Sequence, residues 1–160
     1  MKTFFGFFFL AIYLLITFLH IWGFWRVYKS SFGDLPGFAA MGRGFVAGAV
    51  TNFFVSLLAA YLLGGYSFIM IIYGLPFSIP IGIFFTVCFW WIITKLELKI
   101  GFWGRGTLGI IIGFIVGIAV GTYLDSRSPL ATSSAISAMV IYWTLISLTS
   151  AIMAGKREYK

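Results

Sequence analysis

Few side chains in this sequence can do chemistry, and their placement separates them. There is one histidine, His20, in the stretch LHIWGFWR, and one cysteine, Cys88, inside a long apolar run. One cysteine allows neither an intrachain disulfide nor a thiolate metal cluster. One histidine excludes a bis-histidine haem held by this chain alone. His20 is expected to be an interfacial side chain reaching toward the headgroups. The sharper alternative is a single axial ligand to a pigment or haem shared with a partner subunit. Nucleophilic catalysis needs a nucleophile beside an oriented base, and Cys88 reads instead as a buried, inert thiol.

The four carboxylates, Asp34, Glu97, Asp125 and Glu158, all fall in connectors or the tail. Intramembrane carboxylates mark proton and ion paths because they are expensive there. Their placement argues against a proton-coupled pump and against a pair of catalytic acids. Asp34 and Glu97 have basic neighbours in sequence, and exposed pairs of that kind contribute little. No G-x-x-x-x-G-K phosphate loop occurs. The glycine-rich GFWGRG at 101–106 reads as a tight turn, where Lys95, Lys99 and Arg105 attract anionic lipid headgroups at about 1 kcal/mol per charge. The most polar residue deep in an apolar run is Asn52, with Ser56 one turn on. The pair suits an interhelical hydrogen bond of about 1 kcal/mol, or alternatively the polar lining of a small pore.

These residues sit in a chain whose natural solvent is lipid. Of 160 residues, 61% are hydrophobic and 9% charged, against about 25% charged in a soluble domain. A mean hydropathy of +1.05 cannot be hidden inside so small a soluble protein. The net charge of +7 is spread over short clusters between apolar runs. It forms no stripe that could follow a phosphate backbone, so no nucleic-acid partner is expected.

A spanning helix needs about 20 apolar residues. Five candidates are predicted, at about 4–25, 44–63, 78–94, 107–124 and 134–154. Together they make one polytopic membrane domain over 1–160, an all-α five-helix bundle. The first run follows Met1-Lys2 as a signal peptide would. It is longer than a typical h-region and no A-x-A-like site follows, so it reads as a retained span. Pro76 and Pro80 interrupt the third apolar run. The third span is therefore expected to start at Ser78 as N-cap. Residues 64–77 would then be a surface connector or the ends of two long kinked helices.

Lysine and arginine set the orientation. Arg26, Lys29, Arg43, Lys95, Lys99, Arg105, Lys156, Arg157 and Lys160 fall on one side, and only Lys2 and Arg127 on the other. This predicts an outside N-terminus and a cytoplasmic C-terminus, in what reads as a prokaryotic cytoplasmic membrane. Trp22, Trp25, Trp90, Trp91 and Trp103 fall near the basic side, as headgroup-seeking aromatics should.

Two rows of small residues repeat every four positions. Gly109, Gly113, Gly117 and Gly121 lie in the fourth span. Ala40, Gly44, Gly48, Asn52, Ser56, Ala60 and Gly64 run along the second. In lipid, helix association relies on close backbone packing and interhelical polar contacts, so such rows mark packing faces. The expectation is that spans two and four pack on each other, or that one row binds another subunit. With so few ionisable residues in the spans, the chain reads as a non-catalytic membrane subunit. It would scaffold, stabilise or regulate a larger complex of other membrane subunits. The alternative is a small homo-oligomeric channel or carrier for a solute or ion, built from copies of itself. No resident cofactor is expected.

Overall fold

The computed structural model describes residues 2–35, 37–63, 69–97, 99–127 and 133–155. Within its helices, the side chains of 2–10, 13, 60, 62, 63, 69–72, 127 and 133–135 lie outside the description. Every regular element among the described residues is α-helical: α1 (Lys2–Phe32), α2 (Phe38–Leu63), α3 (Ile69–Lys95), α4 (Phe102–Arg127) and α5 (Ser133–Met153). Among the described residues, four stretches are long and apolar enough to cross a membrane: Phe38–Ala59, Tyr73–Lys95, Phe102–Ser126 and Ile136–Met153. The protein is a multi-pass membrane protein by this measure.

The core is two antiparallel helical hairpins, α2–α3 and α4–α5, each closed by backbone contact. In the second, a Cβ placed on Gly109 would lie 2.8 Å from the Leu148 Cα. One on Gly113 would lie 2.6 Å from the Thr144 Cα, one on Gly117 2.6 Å from the Val140 Cα, and one on Gly121 3.2 Å from the Ile136 Cα. Each step of four along α4 thus meets the residue four earlier in α5. In the first hairpin, a Cβ on Gly44 would lie 2.6 Å from the Ile83 Cα, and one on Gly48 2.7 Å from the Ile79 Cα. Gly82 of α3 returns the arrangement, with the Gly48 Cα 2.7 Å from where its own Cβ would be. Real carbon contacts settle at roughly 3.5–4.0 Å, so these approaches exist only because the side chains are absent.

Two sequence-based expectations are corrected. Spans two and four do not pack on each other: among the helices the α4 backbone contacts α5 alone, and Gly44, Gly48 and Asn52 of the α2 row face α3. The third helix does not start at Ser78. It runs from Ile69 to Lys95 straight through Pro76 and Pro80, with Ser78 in its interior and fully buried. Proline removes one backbone hydrogen bond and crowds the carbonyl four residues back. In membrane helices neighbouring groups re-satisfy the freed backbone, so prolines are tolerated. Pro76 and Pro80 are both exposed, on the side that lines a groove toward α1. Of residues 64–77, expected to be a surface connector or the ends of two long helices, 69–77 belong to α3 and 64–68 lie outside the described residues.

The hairpins join through α5, which packs on both α2 and α3. Phe85, Phe89 and Ile93 of α3 form a buried cluster with Ala151 and Ala154, against which Leu108, Ile112 and Val116 of α4 pack. α1 touches the rest lightly. Its last third is fixed by aromatics: Trp25 meets Phe45 edge-on at 5.3 Å, and Tyr28 stacks on Phe38 at 5.8 Å. Gly37 opens α2 at φ 85°, a left-handed conformation available to glycine at little cost.

Candidate functional site

The glycine faces close each hairpin, and hydroxyls join the two hairpins. Ser78 of α3 is the hub. Its Oγ donates to Asn52 Oδ1 at 3.2 Å, across to α2. A serine hydroxyl has one proton, so the 2.9 Å contact with the Tyr142 hydroxyl is the phenol of α5 donating to Ser78. Three helices thus meet at one serine. Gly74 completes the seat, because the Asn52 carboxamide occupies the space its Cβ would fill. Asn52 and Ser56 are 4% and 3% exposed.

Further toward the basic end, Thr149 donates to the carbonyls of Leu145 and Ile146 within α5. Its oxygen therefore accepts from the Thr51 hydroxyl of α2, 2.8 Å away. Ser150 donates to the Gly82 carbonyl at 3.3 Å. Within α5 and α3, the Oγ atoms of Ser147, Thr144 and Thr86 are buried without a hydrogen-bond partner. At the end of α5, Arg43 donates to the carbonyl of Gly155 through Nη1 and to that of Ala39 through Nε.

A cavity of about 450 Å³ lies beside the Asn52 network. Asn52, Ser56, Ser78 and Tyr142 supply its polar side, and Tyr73, Phe77, Val120 and Met139 much of its apolar side. The surface it presents is almost wholly apolar, because Asn52, Ser78 and Tyr142 hydrogen-bond with one another.

The residues singled out in the sequence are placed as follows. Gly44, Gly48, Asn52 and Ser56 lie buried along α2, and Gly109, Gly113, Gly117 and Gly121 along α4. The side chain of Ala60, and Gly64 entirely, lie outside the described residues. His20 is exposed on α1, and its Nδ1 donates to the Ile16 carbonyl at 2.9 Å, one turn back. In the neutral ring that bond puts the proton on Nδ1 and leaves Nε2 as the atom with a lone pair. Cys88 is half-buried and lines an apolar groove of about 610 Å³ between α1 and α3.

Sequence reasoning gave Ser78 the role of a helix start and missed Tyr142, Gly74, and the Thr51–Thr149 pair. The signal was present in part. The stretch SLTSA at 147–151 sets two serines and a threonine within one turn of an apolar helix, a pattern that marks an interface. Tyr142 carried no such signal, because tyrosine is common in membrane helices and its depth alone does not give it a partner. No family model matches this chain, and neither a curated protein nor a solved structure is significantly similar to it.

Proposed function

We propose that this chain is a non-catalytic small membrane subunit that scaffolds, stabilises or regulates a larger membrane protein complex. The observation that carries this reading is the fate of Asn52. The most polar residue deep within a span is buried, hydrogen-bonded to Ser78 and seated on Gly74. Its polarity is spent on holding helices of its own chain together, as a scaffold requires. In the same reading α1 is the fifth span, the N-terminus lies outside and the basic end faces the cytoplasm of a prokaryotic cell. The G-x-x-x-G row of α4 serves the fold of this chain, which leaves the outward faces of α1 and α4 for other subunits and lipid. The test is the native mass of the tagged protein, gently extracted from its own membrane, with every co-purifying chain identified. Stoichiometric larger partners are expected. A mass equal to a small multiple of 17.8 kDa with no other chain would defeat the subunit reading.

The second reading, a small channel or carrier, is favoured by the cavity beside Asn52, Ser56 and Tyr142. It predicts solute flux in liposomes that is lost in Asn52→Leu. Identical flux in the variant and in the native chain would remove it.

A further inference from the structure

Two guanidinium groups converge on one residue at the basic end of the bundle. Arg43 of α2 donates through Nη1 to the Gly155 carbonyl. The Arg105 guanidinium of α4 lies where a side chain on Gly155 would be, and its Nε is buried without a hydrogen-bond partner. The end of α5 accounts for part of this, since cations favour a helix C-terminus. Two cations at one helix end still repel each other, and an anion between them relieves that repulsion. Arginine suits the purpose, because its planar fork matches phosphate oxygens in pairs.

The space beside them has the shape of an amphiphile. A cavity of about 560 Å³ is lined at one end by Arg43 and Arg105 and elsewhere by apolar groups, among them Trp25, Val46 and Ile152. Trp25 and Val46 also line a second cavity of about 230 Å³, whose other walls are Phe18, Ile21, Trp22 and Phe45. The second cavity follows α1 and α2 away from the arginines, toward the middle of the apolar spans. The charged cavity and the apolar groove therefore lie side by side, with Trp25 and Val46 as their shared wall. We infer that this groove binds one anionic phospholipid, with its phosphate on Arg43 and Arg105 and an acyl chain along the α1–α2 groove. A free phosphate would satisfy the arginines but leave the groove unfilled. The inference rests on embedding in a membrane and is independent of the subunit role.

The test uses the full chain, purified in detergent and stripped of lipid, with bound lipid counted by native mass spectrometry. The probes are dioleoyl phosphatidylglycerol, dioleoyl phosphatidylcholine and inorganic phosphate. One phosphatidylglycerol per chain is expected, with phosphatidylcholine at least tenfold weaker because its choline cation opposes the arginines. The double variant Arg43→Gln/Arg105→Gln should weaken phosphatidylglycerol by about tenfold or more, the scale of a lost charge-assisted hydrogen bond. Because Arg43 also caps α5, Val46→Trp is the second variant. It leaves both arginines in place and fills the groove, and it should lose the lipid to a similar degree. Phosphatidylglycerol bound equally by the native chain and Val46→Trp would overturn the inference. So would equal binding by a folded double glutamine variant, or inorganic phosphate binding that Val46→Trp leaves untouched while the lipid does not bind.

Discussion

Gly113 tests whether the α4–α5 hairpin depends on the absence of side chains. In Gly113→Ala the new Cβ would lie 2.5 Å from the Trp143 carbonyl oxygen, 2.6 Å from the Thr144 Cα and 2.8 Å from the Ser147 Cβ. Two of the three are backbone atoms, which cannot rotate away. Restoring an ordinary carbon contact of roughly 3.5–4.0 Å requires α5 to retreat by about an ångström there. Overpacking of this kind costs about 1–3 kcal/mol. Alanine is also the better helix former by about 1 kcal/mol, which offsets part of the cost. Gly106→Ala, on the same helix, removes that ambiguity. Its Cβ would meet only Leu148 Cδ1 at 3.6 Å, an ordinary contact with a flexible side-chain tip. Both variants gain the same propensity, so their difference isolates the steric effect. Unfolding in mixed detergent–SDS micelles, followed by circular dichroism, should show Gly113→Ala less stable than Gly106→Ala by about 1–3 kcal/mol. Gly121→Ala, with its nearest contact at 3.2 Å, should fall between them. Equal stability of Gly113→Ala and Gly106→Ala would refute the claim that α5 backbone occupies this space.

The Ser78 hub and the end of α3 give two further expectations. A double-mutant cycle of Ser78→Ala and Tyr142→Phe should return a coupling of about 0.5–1.5 kcal/mol, the range of interhelical hydrogen bonds in lipid; zero coupling would mean that the 2.9 Å contact contributes nothing. Glu97 is the only non-glycine residue at positive φ among the described residues, at 49°. Glu97→Gly should therefore stabilise the chain by about 1 kcal/mol, and a variant that melts at or below the native temperature would show that the Glu97 side chain makes a compensating interaction.

The membrane class and the all-helical content were legible in the sequence because each depends on local pattern. Apolar run length sets a span, and a residue type repeated every four positions sets a face. Which face meets which was not legible. Matching the two small rows to each other assumes that both partners of a close contact must be small. The α4–α5 hairpin shows otherwise: Gly109, Gly113, Gly117 and Gly121 admit the backbone at Leu148, Thr144, Val140 and Ile136. Three of those four are large aliphatics, and Thr144 alone would not have been chosen in advance. A glycine row removes the steric limit from one side, and that suffices. Connection length would not have decided it either. The α3–α4 connection spans only 96–101, yet the α3 and α4 backbones do not come into contact.

Ser78 failed for a related reason. A serine after a proline in an apolar run reads as a helix start when the rules of water are applied, because proline ends helices there. In lipid a broken helix must find other partners for its backbone groups, so continuing the helix through Pro76 and Pro80 is the lower-cost solution. Continuation places Ser78 a turn below Gly74 and opposite Asn52, where its hydroxyl can reach both α2 and α5. The result is a division of labour in the bundle. Within each hairpin, glycines bring backbones together and dispersion does most of the holding, with the Ser78–Asn52 hydrogen bond added in α2–α3. Between hairpins, where side chains keep the backbones further apart, Thr51–Thr149, Ser78–Tyr142 and Ser150 to the Gly82 carbonyl do it by hydrogen bonds. The two kinds of contact should therefore fail separately: glycine substitutions should open a hairpin, and hydroxyl substitutions should let intact hairpins separate. A pair of cysteines across the α4–α5 face, crosslinked in the Ser78→Ala background and in Gly113→Leu, distinguishes these outcomes. Crosslinking should persist in the first and be lost in the second.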